Sequence, residues 1–225
     1  MDVARVSRDA YAEAFRSVTG RPLVALPQLA GASDSEIFFE SLALNAPATA
    51  GPAAAAPADG DLLARYSAAL AAAFGSRRRL LATHGRALPG AREALAAVAR
   101  LPGVIQTVLT GTIRENAEEK LRAFGLDRHL DLAIGGFGSD VYPKGAAIVR
   151  AIGAAGQRYR VTVSQQASVY VADSVRDVAA AKVGGVRFVG VATGRSTPSE
   201  LRDAGADAVL DDLRDTTRVI AAIGR

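Results

Sequence analysis

The stretch VYVADSVRDVAAAKVGGVRFVGVATG, Val169 to Gly194, decides the fold. It opens with a β-branched and aromatic run, Val169-Tyr170-Val171-Ala172, that stops on Asp173. A helical pattern begins at about Val175, breaks at Gly184-Gly185, and gives way to a second apolar run from Arg187 to Ala192. This order predicts strand, acidic loop, helix and strand, a βαβ unit with carboxylates at the C-terminal edge of its first strand. Ligands of open α/β sheets bind at that edge. Asp173 and Asp177 would present paired carboxylates there, a donor set suited to a hard cation such as Mg²⁺. The same residues also fit a plain helix start, because Ser174 alone can serve as an N-cap.

The alternation continues on both sides of this unit. From Pro89-Gly90 onward the pattern predicts a helix at about Ala91 to Arg100, a strand from Val104 to Leu109 and a helix from about Glu115 to Phe124. A short strand near Leu132 to Ile134, a Gly-rich loop and a helix from about Lys144 to Ile152 follow. Beyond the central unit, Thr197-Pro198-Ser199-Glu200 forms a capping box with proline at the first helical position. A strand at Ala208 to Leu210 and a last helix end the chain. Such alternation predicts an α/β fold with a doubly wound, Rossmann-like parallel sheet covered by helices on both faces.

Before Gly85 there is no convincing strand. Ser7 to Val18 places Ala10, Ala14, Phe15 and Val18 at helical spacing, and Gly20 stops it. Ser33 with Glu36 offers a capping box for a helix that ends near Asn45. Residues 46–60, APATAGPAAAAPADG, carry prolines that forbid a regular helix and predict a flexible surface excursion. Asp61 to about Leu81 is amphipathic and helical, broken at Gly75. The expected organisation is an all-helical cap over residues 1–85 and an α/β core over residues 86–225.

Composition narrows the function. Hydrophobic residues make up 49% and charged residues 22%, the balance of a soluble globular chain. The net charge is only +4, and no aromatic-laced basic stripe points to nucleic acid. The basic run Arg77-Arg78-Arg79 reads as a solvated helix end. The absence of cysteine excludes disulfides, thiolate metal sites and cysteine nucleophiles. His84 and His129 are too few for a histidine-rich zinc site. No run approaches the roughly 18 apolar residues of a membrane span, and the N-terminus has no signal-peptide core, so a cytoplasmic location without membrane contact is expected.

Further candidate chemistry lies at other strand ends. The run Ile105-Gln106-Thr107-Val108-Leu109 leads into Thr110-Gly111-Thr112, where a hydroxyl and exposed amides could hold a phosphate or form an ordinary turn. Lys144 opens a helix after Tyr142-Pro143 and is either solvated or placed to neutralise a phosphate. The loop Gly135-Gly136-Phe137-Gly138-Ser139-Asp140 lacks the following helix and acidic residue of a dinucleotide fingerprint.

In this order and at these spacings the features resemble the haloacid dehalogenase-like (HAD) hydrolase superfamily, in particular its phosphoglycolate-phosphatase-like branch. VLTGT resembles the second motif, Lys144 in YPKG the third, and VADSVRD the fourth, G-D-x-x-x-D. The resemblance covers essentially the whole chain. It implies Mg²⁺-dependent hydrolysis of a small phosphorylated metabolite through an aspartyl-phosphate intermediate, by a monomer or homodimer. Thr110 and Lys144 would be catalytic, and Thr110, Gly111 and Thr112 would bind phosphate. Asp173 and Asp177 would serve the metal, and Gly31 to Asp34 of the cap would face the leaving group.

One departure stands against this agreement. The family's first motif, D-x-D-G-T, which carries the nucleophile and the general acid/base, is absent. Asp2 has neither a strand before it nor D-G-T after it, and is not accepted as the nucleophile. The first core strand is missing as well, and in this fold it lies between the strands at Val104 to Leu109 and Val169 to Ala172. Leaving both edges unpaired is costly. The expectation is that Met1 is not the natural start, that roughly twenty residues with a strand and its loop precede it, and that the 225-residue form is inactive. The alternatives are a non-catalytic relative that binds a phosphorylated ligand or a protein and, less favoured because that branch needs no Mg²⁺, a 2-haloacid dehalogenase.

Overall fold

The computed structural model describes residues 1, 3–29, 31–46, 60–139 and 143–224. Asp2, nearly all of the Ala/Pro segment, Asp140 and Tyr142 lie outside the described residues.

Apolar residues at helical spacing form α1 (Ala4–Thr19), which ends where Gly20 takes a left-handed φ of 69°. The Ser33–Glu36 capping box is formed and starts α2 (Asp34–Leu44). The long helix expected after it is interrupted. α3 (Gly60–Gly75) is followed by a 3₁₀ turn at Arg78–Leu80 and the short α4 (Leu81–His84). Arg77 pairs with Glu13 and also donates to the Ala73 carbonyl at 2.7 Å, closing the end of α3. Phe38 stacks on Tyr66 with ring centroids 4.1 Å apart. Together with Phe15, Leu70 and Phe74 they form a core continuous with Ile113, Leu121 and Phe124 further along the chain.

The remaining helices alternate with the sheet. They are α5 (Ala91–Val98), α6 (Arg114–Ala123) and α7 (Lys144–Tyr159), then β1 (Val169–Ala172), α8 (Val175–Gly184) and β2 (Arg187–Val191). α9 (Pro198–Asp203), β3 (Ala208–Leu210) and α10 (Thr216–Ile223) complete the order. The strands are parallel in the order β1-β2-β3, with Val169 opposite Arg187 and Val189 opposite Ala208. Successive β2 residues face opposite layers, as the strand period requires. Phe188 packs with Val178, Ala181 and Leu201 of α8 and α9. Val189 packs with Ala94, Val98, Val219 and Ala222 of α5 and α10.

Two predicted strands are corrected. Residues 104–109 are extended, yet among the described residues their one bridge is Leu109 to Gly136. The Gln106 and Val108 carbonyls accept from the Asp131 and Gly136 amides at 2.8 and 3.0 Å, and the Thr110 amide donates to Gly136 at 3.0 Å. All of these bonds lie on one edge. Among the described residues the other edge carries no ladder, and β1 likewise pairs with β2 alone. A strand needs a partner as well as an apolar pattern, and here one side has none. Leu132–Ile134 is a 3₁₀ turn, because the Asp131 carboxylate accepts from the Ala133 amide and offers the backbone a local alternative. No helix among the described residues is long and apolar enough to cross a membrane.

Candidate active site

The C-terminal ends of β1 and of the extended segment 104–109 open on one cavity of about 240 Å³, with Leu109 and Ala172 on its wall. Thr110, Gly111, Thr112, Lys144, Asp173 and Asp177 all line it. From the helical block come Tyr11, Gly31, Ala32 and Asp34. The fold thus brings every site residue predicted from sequence to one place, and most of the stretch from Gly31 to Asp34 with them.

The acidic loop does two jobs. Ser174 is the N-cap of α8, its hydroxyl accepting from the Asp177 amide, so the plain helix-start interpretation is correct as far as it goes. Asp177 is buried, and its carboxylate accepts three side-chain hydrogen bonds. Its Oδ1 accepts from Lys144 Nζ at 2.8 Å and from the Tyr170 hydroxyl at 2.9 Å, and its Oδ2 accepts from the Ser174 hydroxyl at 2.6 Å. Burial, then Asp177, pushes the Tyr170 phenol well up, so it remains a donor. Lys144 is delivered by the first residue of α7, after Pro143 at the N-cap. Gly145 and Gly184 let α7 and α8 come close, since a Cβ on either would meet Val183 or Ile148.

Asp173 stands differently. Burial, followed by the neighbouring Asp177, raises its carboxyl pKa, while the Met1 amino group and Lys144 act in the opposite direction. Gly194 packs directly on this carboxylate, and a side chain there would collide with it. A desolvated carboxylate beside a second one is an environment that a cation relieves. Among the described residues no three His, Cys, Asp or Glu side chains form a ready metal cage. The residues present fit a hard divalent cation only in part. Asp173 supplies an oxygen donor on the cavity wall, and Asp177 is committed to Lys144.

Residues 110–113 form a tight loop. The Thr110 hydroxyl accepts from the Thr112 amide at 3.2 Å. The Gly-rich loop lies directly against it, with the Gly138 amide donating to the Thr112 carbonyl at 2.8 Å and no room for a Cβ on Gly138 next to the Gly111 carbonyl. Those glycines therefore scaffold the Thr110 loop, which accounts for them without a dinucleotide.

The sequence profile of the haloacid dehalogenase-like hydrolases matches residues 6–182. The chain belongs to this family. Its fold resembles solved HAD-like structures across nearly the whole length. A structure from Thermotoga maritima described as a putative β-phosphoglucomutase is 21% identical, covering 99% of this chain and 94% of that one, with a TM-score of 0.57. CbbY from Rhodobacter sphaeroides in complex with phosphate is 20% identical over 100% and 94%, with a TM-score of 0.61. A family IA, variant 3 HAD hydrolase from Entamoeba histolytica is 14% identical over 98% and 92%, with a TM-score of 0.65. No curated protein sequence matches.

Two buried residues hold positions that sequence reasoning did not assign: Asp34, placed there only within the stretch facing the leaving group, and Lys120, which was not named. Asp34 is 3% exposed and accepts from the Tyr11 hydroxyl and the Ile113 amide, at 2.6 and 2.7 Å. Burial raises its carboxyl, and Lys120, Tyr11 and the Ile113 amide only partly oppose this. Lys120 is also buried and lowered by desolvation, with Asp34 acting against the shift. A signal for Lys120 existed, because it falls on the helical stripe of Ile113, Ala117, Leu121 and Phe124, which is buried.

Proposed function

We propose that the cavity is the phosphate site of a Mg²⁺-dependent phosphomonoester hydrolase acting on a small phosphorylated metabolite. The observation that carries this is the convergence of Thr110, Lys144 and Asp173 on one cavity at the ends of two strand segments. Phosphoryl transfer asks the protein mainly for positioning and charge neutralisation. Thr110 and the loop amides would hold phosphoryl oxygens, while Lys144, itself fixed by Asp177, offsets their charge. Asp173 would hold Mg²⁺, with Asp177 acting from behind Lys144, and the bound ion would supply further neutralisation of the phosphoryl oxygens. The Rhodobacter sphaeroides relative, described in complex with phosphate, supports the ligand class.

The nucleophile is the piece this chain does not carry. The two open edges, at 104–109 and at β1, suit one further parallel strand between them. A segment ending in the family's D-x-D-G-T motif would supply such a strand together with the nucleophile. The 225 residues alone would then be inactive. The test is hydrolysis of p-nitrophenyl phosphate with and without Mg²⁺, by the 225-residue chain and by one extended with such a segment. Metal-dependent turnover by the extended chain alone is the expected result. Turnover by the short form refutes the missing-nucleophile part. Phosphate binding without turnover in both forms favours a non-catalytic phosphate binder.

A further inference from the structure

A buried polar network joins the helical block to the Thr110 loop. Asp34 of that block holds residues 111 and 113, and Lys120 of α6 holds the residue between them. The Gly111 carbonyl accepts from the Asp34 amide at 2.7 Å, Lys120 Nζ donates to the Thr112 hydroxyl at 3.4 Å, and the Ile113 amide donates to Asp34 Oδ2 at 2.7 Å. Asp34 therefore grips residues 111 and 113 at once, with its backbone and with its carboxylate. Tyr11 of α1 secures the other carboxylate oxygen, and the Lys120 ammonium sits 4.9 Å from the Phe74 ring centroid. Gly111 is pressed so closely under Ala32 and Ser33 that no Cβ fits.

The cost of this arrangement is informative. Asp34 and Lys120 are 3% and 8% exposed, and burying charged groups is unfavourable even when they attract one another. Apolar packing already docks the helical block, through Phe74, Ile113, Leu121 and Phe124. Docking alone gives no reason to bury a carboxylate at the wall of the cavity.

We infer that Asp34 is a positioning residue: carried by the helical block, it sets the backbone of residues 111–113, so that docking of that block and formation of the phosphate-binding loop are one event. The inference rests on the loop being the phosphate site. By linkage, phosphate at the loop must tighten the docking by the same factor with which docking tightens phosphate.

The experiment uses the 225-residue chain with inorganic phosphate as the probe. Phosphate affinity is measured by titration calorimetry, and hydrogen exchange is followed at the amides of residues 34 and 113. In the wild type, phosphate slows exchange at both. Asp34→Ala weakens phosphate binding about tenfold or more and abolishes that protection, whereas Asp34→Asn, which keeps an acceptor for Ile113, stays within about threefold. A folded Asp34→Ala variant that binds phosphate like the wild type overturns the inference. If that variant does not fold, the wild type decides, because bound phosphate that leaves exchange at residue 34 unchanged overturns it equally. A wild type that binds no phosphate removes the site assignment itself. In that case, unchanged Ile113 exchange in Asp34→Ala also removes the positioning role.

Discussion

Lys144 donates to Asp177 across 2.8 Å, joining the first residue of α7 to the first turn of α8 at the floor of the cavity. The pair is shielded, with side-chain exposures of 18% and 5%, and Asp177 also accepts from the Tyr170 and Ser174 hydroxyls. Lys144→Met therefore leaves a buried carboxylate short of its cation. The expected loss of stability is about 2–3 kcal/mol, below the usual figure for a buried pair because two hydroxyl donors stay in place. Urea unfolding of the variant checks it, and an unchanged midpoint would show that the pair is only superficial.

Gly138 is the second point of tight tolerance. A methyl at this position has no space beside the Gly111 carbonyl and the Thr112 backbone. Gly138→Ala is expected to destabilise the chain by about 1–3 kcal/mol through overpacking, and to weaken phosphate binding because the Thr110 loop must shift. Both are read on one preparation, by thermal melting and by phosphate titration.

The βαβ unit from Val169 to Gly194 was legible because its strands are apolar and its helix is bounded by Ser174 and Gly185. Both capping boxes were legible for the same local reason. Residues 104–109 have the composition of a strand, but pairing is a property of neighbours, and among the described residues one side of this segment has none. The residues lining the cavity from the core could be named by motif spacing. Asp34 fell in the stretch expected to face the leaving group and Lys120 on a buried helical stripe, but their hold on residues 111–113 could not be foreseen, because it depends on a contact between segments far apart in sequence.

The buried network makes stability depend on pH at both ends of the scale. Burial holds the Asp34 carboxyl above its ordinary 3.8, so the folded chain keeps a proton that the unfolded chain releases. Stability therefore falls as pH rises from 3.8 through the folded value of Asp34. Burial holds Lys120 below its ordinary 10.5, so the folded chain binds fewer protons there, and stability rises with pH as 10.5 is approached. Chemical unfolding across this range should show the acid-side slope flattened in Asp34→Asn and the alkaline slope retained. An acid-side slope identical to wild type would contradict the placement of Asp34 in the network.

The most direct test of the phosphate and magnesium assignment is titration of the 225-residue chain with inorganic phosphate, with and without Mg²⁺, beside Thr110→Val and Asp173→Asn. The expected result is saturable phosphate binding that Mg²⁺ strengthens. Thr110→Val should weaken it about fivefold to tenfold with or without the metal, in keeping with one lost hydrogen bond to a charged group. Asp173→Asn should abolish only the Mg²⁺ enhancement. Binding indifferent to Mg²⁺ and to both substitutions would contradict the account.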